Sequence, residues 1–255
     1  MQLTTNRQQQ ILDIACEKGQ VAVDQLVQRF GVTPQSIRKD LNQLCDDRLL
    51  TRTHGGARLA SSVENMSYEA RRMLASDQKQ AIGRAVADLI PDNASLFVNI
   101  GTTTEAVAQA LLNHRRLMVI TNNINVATLL RPYSENQVII ACGEVRSGDG
   151  GIVGEAAVDF ISQFKVDFAV IGSSAIDSEG ALLDFDYREV KVSQAILSNA
   201  RHVILAADST KHERNAPVRI GHMSQIHSFV TDRCPNTEFA RLLAGFDIRT
   251  IETDC

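Results

Sequence analysis

The sequence predicts an α/β protein in two parts: a small N-terminal winged helix-turn-helix, then a doubly wound, mostly parallel sheet. Three observations carry this. Short amphipathic segments broken by Gly31 precede a strand-like stretch around Gly55-Gly56. From Ser95 onward, apolar runs of strand length alternate with helical segments, the pattern of a parallel sheet covered on both faces. Charge is also divided: residues 1–58 hold 8 Lys and Arg against 6 Asp and Glu, and the rest 18 against 24, within 255 residues of formal net charge −4. The expected organisation is a first part at 1–58, a linker at 59–75, and a second part at 76–255.

In the first part, Ile11, Leu12, Ala15 and Cys16 share a helical face, and Gly19 is the expected stop. Val23, Leu26, Val27 and Phe30 line the next helix, with Gly31 as its C-terminal stop. Thr33 is a good N-cap, and Pro34 suits a first helical position, where no backbone N–H is needed. Ile37, Leu41 and Leu44 then recur at i, i+4 and i+7 on a core-facing side, while Gln35, Ser36, Arg38, Lys39 and Asn42 occupy the other. Two helices joined by a tight turn, the second polar in its first turns, make the helix-turn-helix layout. "LLTRTHGGARL" follows as a β-wing, and Arg48 to Arg58 holds three arginines, one histidine and no acid. By itself the helix reads as an ordinary solvated face. The preceding helix and the wing turn that reading toward nucleic acid. Gln35 and Arg38 suit base edges, since Gln can pair with adenine and Arg with guanine. Ser36 lies in the same first turns, and Thr33, Lys39, Arg52, His54 and Arg58 suit phosphates.

In the second part, Asp77 and Gln80 have capping-box spacing ahead of a helix that presents Ile82, Ala85, Val86 and Leu89. The alternation that follows runs "SLFVNI", "EAVAQALL", "LMVIT", "VATLL", "VIIACG", "AAVDFISQF", "FAVIG", a long helix at 187–200, "HVILAA", "SFVTD", and a final helix and strand. Ligands of such sheets bind beyond the carboxyl ends of the strands. The loops there are consistently polar. Gly101, Thr102, Thr103 and Thr104 open a helix with backbone N–H groups and hydroxyls suited to phosphate. Asn122 and Asn123 follow the next strand, Arg146 and Asp149 stand among glycines, and Lys211 closes "AADSTK". A guanidinium beside glycine-rich backbone is a natural oxyanion clamp. Singly, each loop is an ordinary turn; it is the coincidence of four that signals a ligand.

There is no apolar run of 18 residues and no basic start followed by an apolar stretch, so a cytoplasmic protein without a membrane segment is expected. The cysteines at 16, 45, 142, 234 and 255 include no C-x-x-C pair and are expected to be reduced thiols. No cofactor and no metal site are expected.

"TPQSIRKDLNQL" followed by "LLTRTHGGA" resembles the DNA-binding region of the DeoR family of bacterial repressors. Ser36 stands where that family usually has Thr, and Lys39 where Arg is common; Lys cannot form a bidentate fork. "FVNIGTTTEAVAQALLNH", "TNNINVA", "GEVRSGDGGIVGEAAVDF" and "DFDYREV" extend the resemblance through the second part. The resemblance implies a repressor of double-stranded operator DNA, a homo-oligomer (dimer or tetramer), released by a small phosphorylated effector. Within the family the pattern points to glycerol 3-phosphate, with another sugar phosphate as the alternative. It also implies a fold resembling that of the ribose-5-phosphate isomerases, and so an enzyme as the rival reading. Those enzymes use an Asp-Gly-Ala-Asp-Glu-Ile-Asp pattern. Here "IGSSAID" puts Ile171 and Ser174 in place of the first two acids and keeps Asp177. Glu189 and Lys211 persist as ligand-facing charges, but without paired acids no catalytic residue is expected.

Overall fold

The computed structural model describes residues 5–18, 20–46, 49–59, 65–133 and 135–254. The chain divides into two compact units, Met1–Leu74 and Ala75–Cys255. Gly19, Arg48, Cys255, the side chain of Cys16 and residues 60–64 of the linker lie outside the described residues.

The first unit contains α1 (Asn6–Lys18), β1 (Gln20–Ala22), α2 (Val23–Phe30), α3 (Pro34–Asp46), β2 (Leu50–Thr53), β3 (Gly56–Leu59) and α4 (Tyr68–Met73). Ile11, Leu12 and Ala15 of α1, Leu26 of α2, and Ile37, Leu41 and Leu44 of α3 are withdrawn from solvent, and α3 packs on both other helices. Val27 and Phe30 are half-buried at the edge of this core. Gly31 ends α2 in the left-handed region with φ +62, its N–H donating to the Val27 carbonyl. An ion pair absent from the hydrophobic pattern also ties α3 down: Arg7 Nε of α1 lies 2.5 Å from Oδ2 of the buried Asp40.

The wing differs from expectation by one residue and one strand. β1 pairs antiparallel with β3, making a three-stranded sheet in the order β1-β3-β2. The chain reverses at His54-Gly55, and Gly56 is already in β3. A Cβ on Gly56 would lie 1.9 Å from the Val21 carbonyl oxygen. The second glycine therefore serves the approach of β1, three residues long and too short to leave a periodic trace in sequence.

The second unit opens with α5 (Ser76–Ala87). The capping box expected at Asp77 and Gln80 does not form. The helix starts two residues earlier, from Ala75 at φ +51, with no side-chain cap. Asp77 lies inside the first turn, where its charge still complements the helix dipole. Then follow β4 (Ser95–Val98), α6 (Thr102–Ala110), β5 (Met118–Thr121), α7 (Ile124–Leu130), β6 (Gln137–Ile140), β7 (Glu144–Val145), β8 (Ile152–Val153), α8 (Glu155–Ile161), β9 (Val166–Ile171), β10 (Ala175–Ile176), β11 (Ala181–Asp184), α9 (Tyr187–Ser198), β12 (Ala200–Ala206), β13 (Val218–His222), β14 (Ser228–Thr231), α10 (Thr237–Gly245) and β15 (Arg249–Glu252).

Seven strands form a sheet in the order β15-β14-β12-β9-β4-β5-β6, with every neighbouring pair parallel. Ile82, Val86, Val107 and Val126 from α5, α6 and α7 pack with Val98, Val170, Ile204 and Val230 in one core. Ala157, Ile161, Val190, Ile196, Phe239 and Leu243 from α8, α9 and α10 pack with Phe97, Ala169, Leu205 and Phe229 in the other. The sheet is thus covered on both faces, as strands apolar throughout require. The strand order reverses between β4 and β9, the switch point where such folds open a crevice. The antiparallel β10-β11-β13 sheet and the β7-β8 hairpin lie outside the expected alternation; β7, β8 and β10 are only two residues long and carry no periodicity. Cys45, Cys142 and Cys234 are free thiols, and no helix among the described residues is long and apolar enough to cross a membrane.

Candidate functional site

In the first unit the polar side of α3 faces solvent. Thr33 caps α3, its Oγ1 accepting the Ser36 N–H at 3.3 Å and lying 3.0 Å from the Ser36 Oγ. Both hydroxyls are therefore engaged at the helix start, and Ser36 is only half-exposed. Gln35, Arg38 and Lys39 project from the same turns into solvent, and among the described residues Arg38 and Lys39 have no ion-pair partner. In the wing Arg52, His54 and Arg58 are exposed, Arg52 Nη1 donating to the Gly56 carbonyl at 3.3 Å. Arg52 is thereby steadied on the hairpin it extends from.

The second unit gathers its polar loops at the carboxyl ends of β4, β5 and β12, around the switch point. Gly101 precedes α6 with φ +147 and ψ +152, a conformation that L side chains rarely adopt. This sharp entry folds Thr102, Thr103 and Thr104 inward, and all three are buried. Thr104 Oγ1 donates to the carbonyls of Asn99 (2.7 Å) and Gly101 (2.8 Å), so it braces the loop. Thr102 and Thr103 stand with the N-terminal amides where the helix dipole favours an anion.

Asn122 and Asn123 are fully buried. Asn123 caps α7 by accepting the Asn125 N–H at 2.9 Å, and its Nδ2 donates to Glu105 Oε1 at 3.0 Å. Asn125 Nδ2 joins the same carboxylate at 2.9 Å and reaches the Asp149 carbonyl at 3.1 Å. Asn122 Nδ2 donates to the Ile152 carbonyl, whereas its Oδ1 is buried without a hydrogen-bond partner among the described residues. The 101–105, 122–125 and 146–152 loops thus form one connected structure.

Arg146 sits among three carboxylates. Nη2 lies 2.5 Å from Asp149 Oδ2, while Nη1 lies 2.6 Å from Glu189 Oε2 and 3.4 Å from Asp186 Oδ2. Burial alone would lower the pKa of this guanidinium, but Glu189 and Asp149 outweigh it and raise the pKa. Burial likewise pushes the Asp186 carboxyl up, yet hydrogen bonds from Arg188 and the charges of Arg188 and Arg146 bring it below its ordinary value. Glu189, readable in sequence as a helix-surface residue paired to Arg188 or Lys191, is buried and bound to Arg146. Arg188 turns to Asp186 and Glu144 instead. The clamp proposed from the glycine-rich loop is the centre of a charge network.

On the other side of the switch point, Lys211 is buried with Asp208, whose Oδ1 accepts from the N–H and hydroxyl of Thr210. Lys79 of α5, also buried, acts on the same carboxylate. The sequence reading missed Lys79, Glu105, Asn125, Asp186 and Asp208. For Asp208 a signal existed, because it lies in the same strand-end loop as Lys211. Lys79 had none, since a lysine on an amphipathic helix reads as solvent-facing. Among the described residues no group of His, Cys, Asp and Glu is arranged to hold a metal ion.

The sequence matches the DeoR-like helix-turn-helix domain over residues 7–63 and the DeoR C terminal sensor domain over residues 74–233. It is 46% identical over 245 residues to a glycerol-3-phosphate regulon repressor of Escherichia coli K12, covering 96% of this chain and 97% of that one. A protein of the same name from Haemophilus influenzae is 47% identical over 90% of this chain and 89% of its own. The HTH-type transcriptional repressor CsqR of Escherichia coli is 41% identical over 98% and 96%. Among solved structures, ribose 5 phosphate isomerase A from Neisseria gonorrhoeae aligns with a TM-score of 0.39 and 12% identity over 52% of each chain. These three sequence relatives are named as repressors, not enzymes. With one family domain matched in each unit, the chain belongs to the DeoR family of helix-turn-helix transcriptional regulators.

Proposed function

We propose that the protein is a DNA-binding repressor of glycerol 3-phosphate metabolism genes, acting in the cytoplasm and released from its operators by glycerol 3-phosphate. The observation that carries this reading is the identity to glycerol-3-phosphate regulon repressors, which runs through both the helix-turn-helix and the polar loops. In this reading Gln35, Ser36 and Arg38 read bases, while Thr33, Lys39, Arg52, His54 and Arg58 hold backbone phosphates. The effector's phosphate lies at the Gly101–Thr104 helix entry beside Asn122, Asn123 and Lys211. The charge network of Arg146, Asp149 and Glu189 supplies acceptors for the hydroxyls of the glycerol part. One helix-turn-helix reads only a few base pairs, so two are joined by symmetry, in a dimer or a tetramer.

Operator binding by fluorescence anisotropy, with and without glycerol 3-phosphate, tests this directly. Release is expected at concentrations that also raise thermal stability, by about 2.7 kcal/mol at 100 times the dissociation constant. Release by a different sugar phosphate, with none by glycerol 3-phosphate, would instead favour a sibling effector. The similar level of identity to CsqR, a repressor under another name, makes that the second reading. Light scattering showing a monomer that binds operator tightly would overturn the assembly.

A further inference from the structure

The seven-stranded sheet ends in β15 on one side and β6 on the other, and the two edges are built differently. β15 reads Arg-Thr-Ile-Glu, with Arg249, Thr250 and Glu252 exposed. Charge on an edge strand discourages pairing with a further strand. β6 reads Gln-Val-Ile-Ile, without charge, proline or glycine. Ile140 is 44% exposed there, and the exposed apolar side chains of Tyr133 and Val145 come a few residues before and after the strand. Val138 packs on the core at one face of the sheet and Ile139 on the core at the other, each only half-buried. Both faces of β6 are therefore incompletely covered.

Its backbone points the same way. The parallel register with β5 sets Val138 beside Val119 and Ile140 beside Thr121. Gln137 N–H donates to the Leu117 carbonyl and Ala141 N–H to the Thr121 carbonyl, at 2.8 Å each. Backbone groups alternate in direction along a strand, so the N–H and C=O groups of Val138 and Ile140 point away from β5. Among the described residues no strand pairs with that side. A row of outward amides between β-branched side chains is a template for one more strand, and native proteins either charge such an edge or cover it. β6 is not charged.

We infer that β6 is covered by β6 of a second copy of this chain, antiparallel about a two-fold axis at Ile139. In that register Val138 of each copy faces Ile140 of the other and exchanges both backbone bonds with it. Ile139 then faces its own counterpart as the closer, non-hydrogen-bonded pair. No charged residue lies between Asn136 and Gly143, so the strand opposes no like charges when it meets itself. Closure decides between the edges. Pairing β6 with β15 of another copy would leave a bare edge at each end and grow without limit, whereas the two-fold pairing uses both β6 edges and stops. This rests on the reading above that two helix-turn-helix units act together, and it gives that assembly its contact.

The test is the mass of the full chain by sedimentation velocity at micromolar concentration. Ile140→Pro removes an amide that faces outward and leaves the ladder to β5 intact, while Ile140→Lys sets two ammonium groups near the axis. Each is expected to halve the mass of the unmodified protein, whether that is a dimer or a tetramer. Full mass in either variant overturns the assignment. A second measurement does not depend on how those variants fold. In a Cys142→Ser background, Ile139→Cys is expected to give a disulfide-linked dimer on mild oxidation, because the axis sets its two copies opposite one another. Val138→Cys, which faces Ile140 instead, is expected to give at least tenfold less. Equal cross-linking at the two positions, or none at Ile139→Cys, overturns the pairing. An unmodified protein that sediments as a monomer would instead remove the assembly reading itself.

Discussion

Arg38 and Lys39 of α3 stand in solvent with no ion-pair partner among the described residues, whereas Arg146, Lys79 and Lys211 of the second unit are held away from solvent near carboxylates. The same side-chain chemistry is kept in opposite states, and desolvation explains why. A cation on an open surface is neutralised by water and counterions, which a polyanion then displaces, so it can wait unpaired. A cation in a pocket has lost its water and needs an internal counter-charge until the ligand arrives. In the function proposed above, binding to the first surface is therefore addition, and binding in the second is exchange.

That contrast can be broken most forcefully at Arg146. Replacing it with Ala leaves Asp149, Asp186 and Glu189 crowded without their shared cation, and is expected to cost the second unit about 3–5 kcal/mol. Hydrogen exchange should show protection lost around β4 and β9 while the first unit is untouched. Unchanged protection would mean that the network is decorative. At the open surface, Arg38→Ala should leave stability alone and weaken operator binding by about 1–3 kcal/mol, relaxing preference at one base position. Equal weakening on random DNA would reassign Arg38 to a phosphate.

Acidification sharpens the same comparison. His212 packs edge-on against Phe239, ring centroids 4.7 Å apart, and burial lowers its pKa to about 4, against the pull of Asp208 and Asp232. The unfolded chain takes up this proton near pH 6.5 and the folded one near 4. Stability from this residue is thus complete above 6.5 and is lost as pH falls through that window. Since the ring is not fully enclosed, the loss is expected to be about 1–2 kcal/mol. It should appear in urea titrations of the second unit and vanish in His212→Phe; a slope that persists in the variant would assign it to carboxylates. The smallest effect is expected for Arg52→Ala, which should weaken all DNA sequences alike and reduce the salt slope by about one unit.

The helix-turn-helix could be read almost residue by residue, because its determinants are local. A cap at Thr33, a stop at Gly31 and apolar residues at helical spacing act over one or two turns. The parallel sheet was likewise visible in its alternation, and the polar strand ends marked the mouth of the crevice. What sequence order could not supply was any pairing across distance. Arg7 with Asp40, β1 against β3, Arg146 among Asp149, Asp186 and Glu189, and Lys79 near Asp208 each join segments whose proximity exists only after the strands have assembled. By itself the sequence determined which residues bear charge, where α2 stops and α3 starts, and which loops lie at strand ends. Only the tertiary structure decided which charges lose their water and which neighbour then neutralises each, because desolvation and Coulomb energy depend on distance in space.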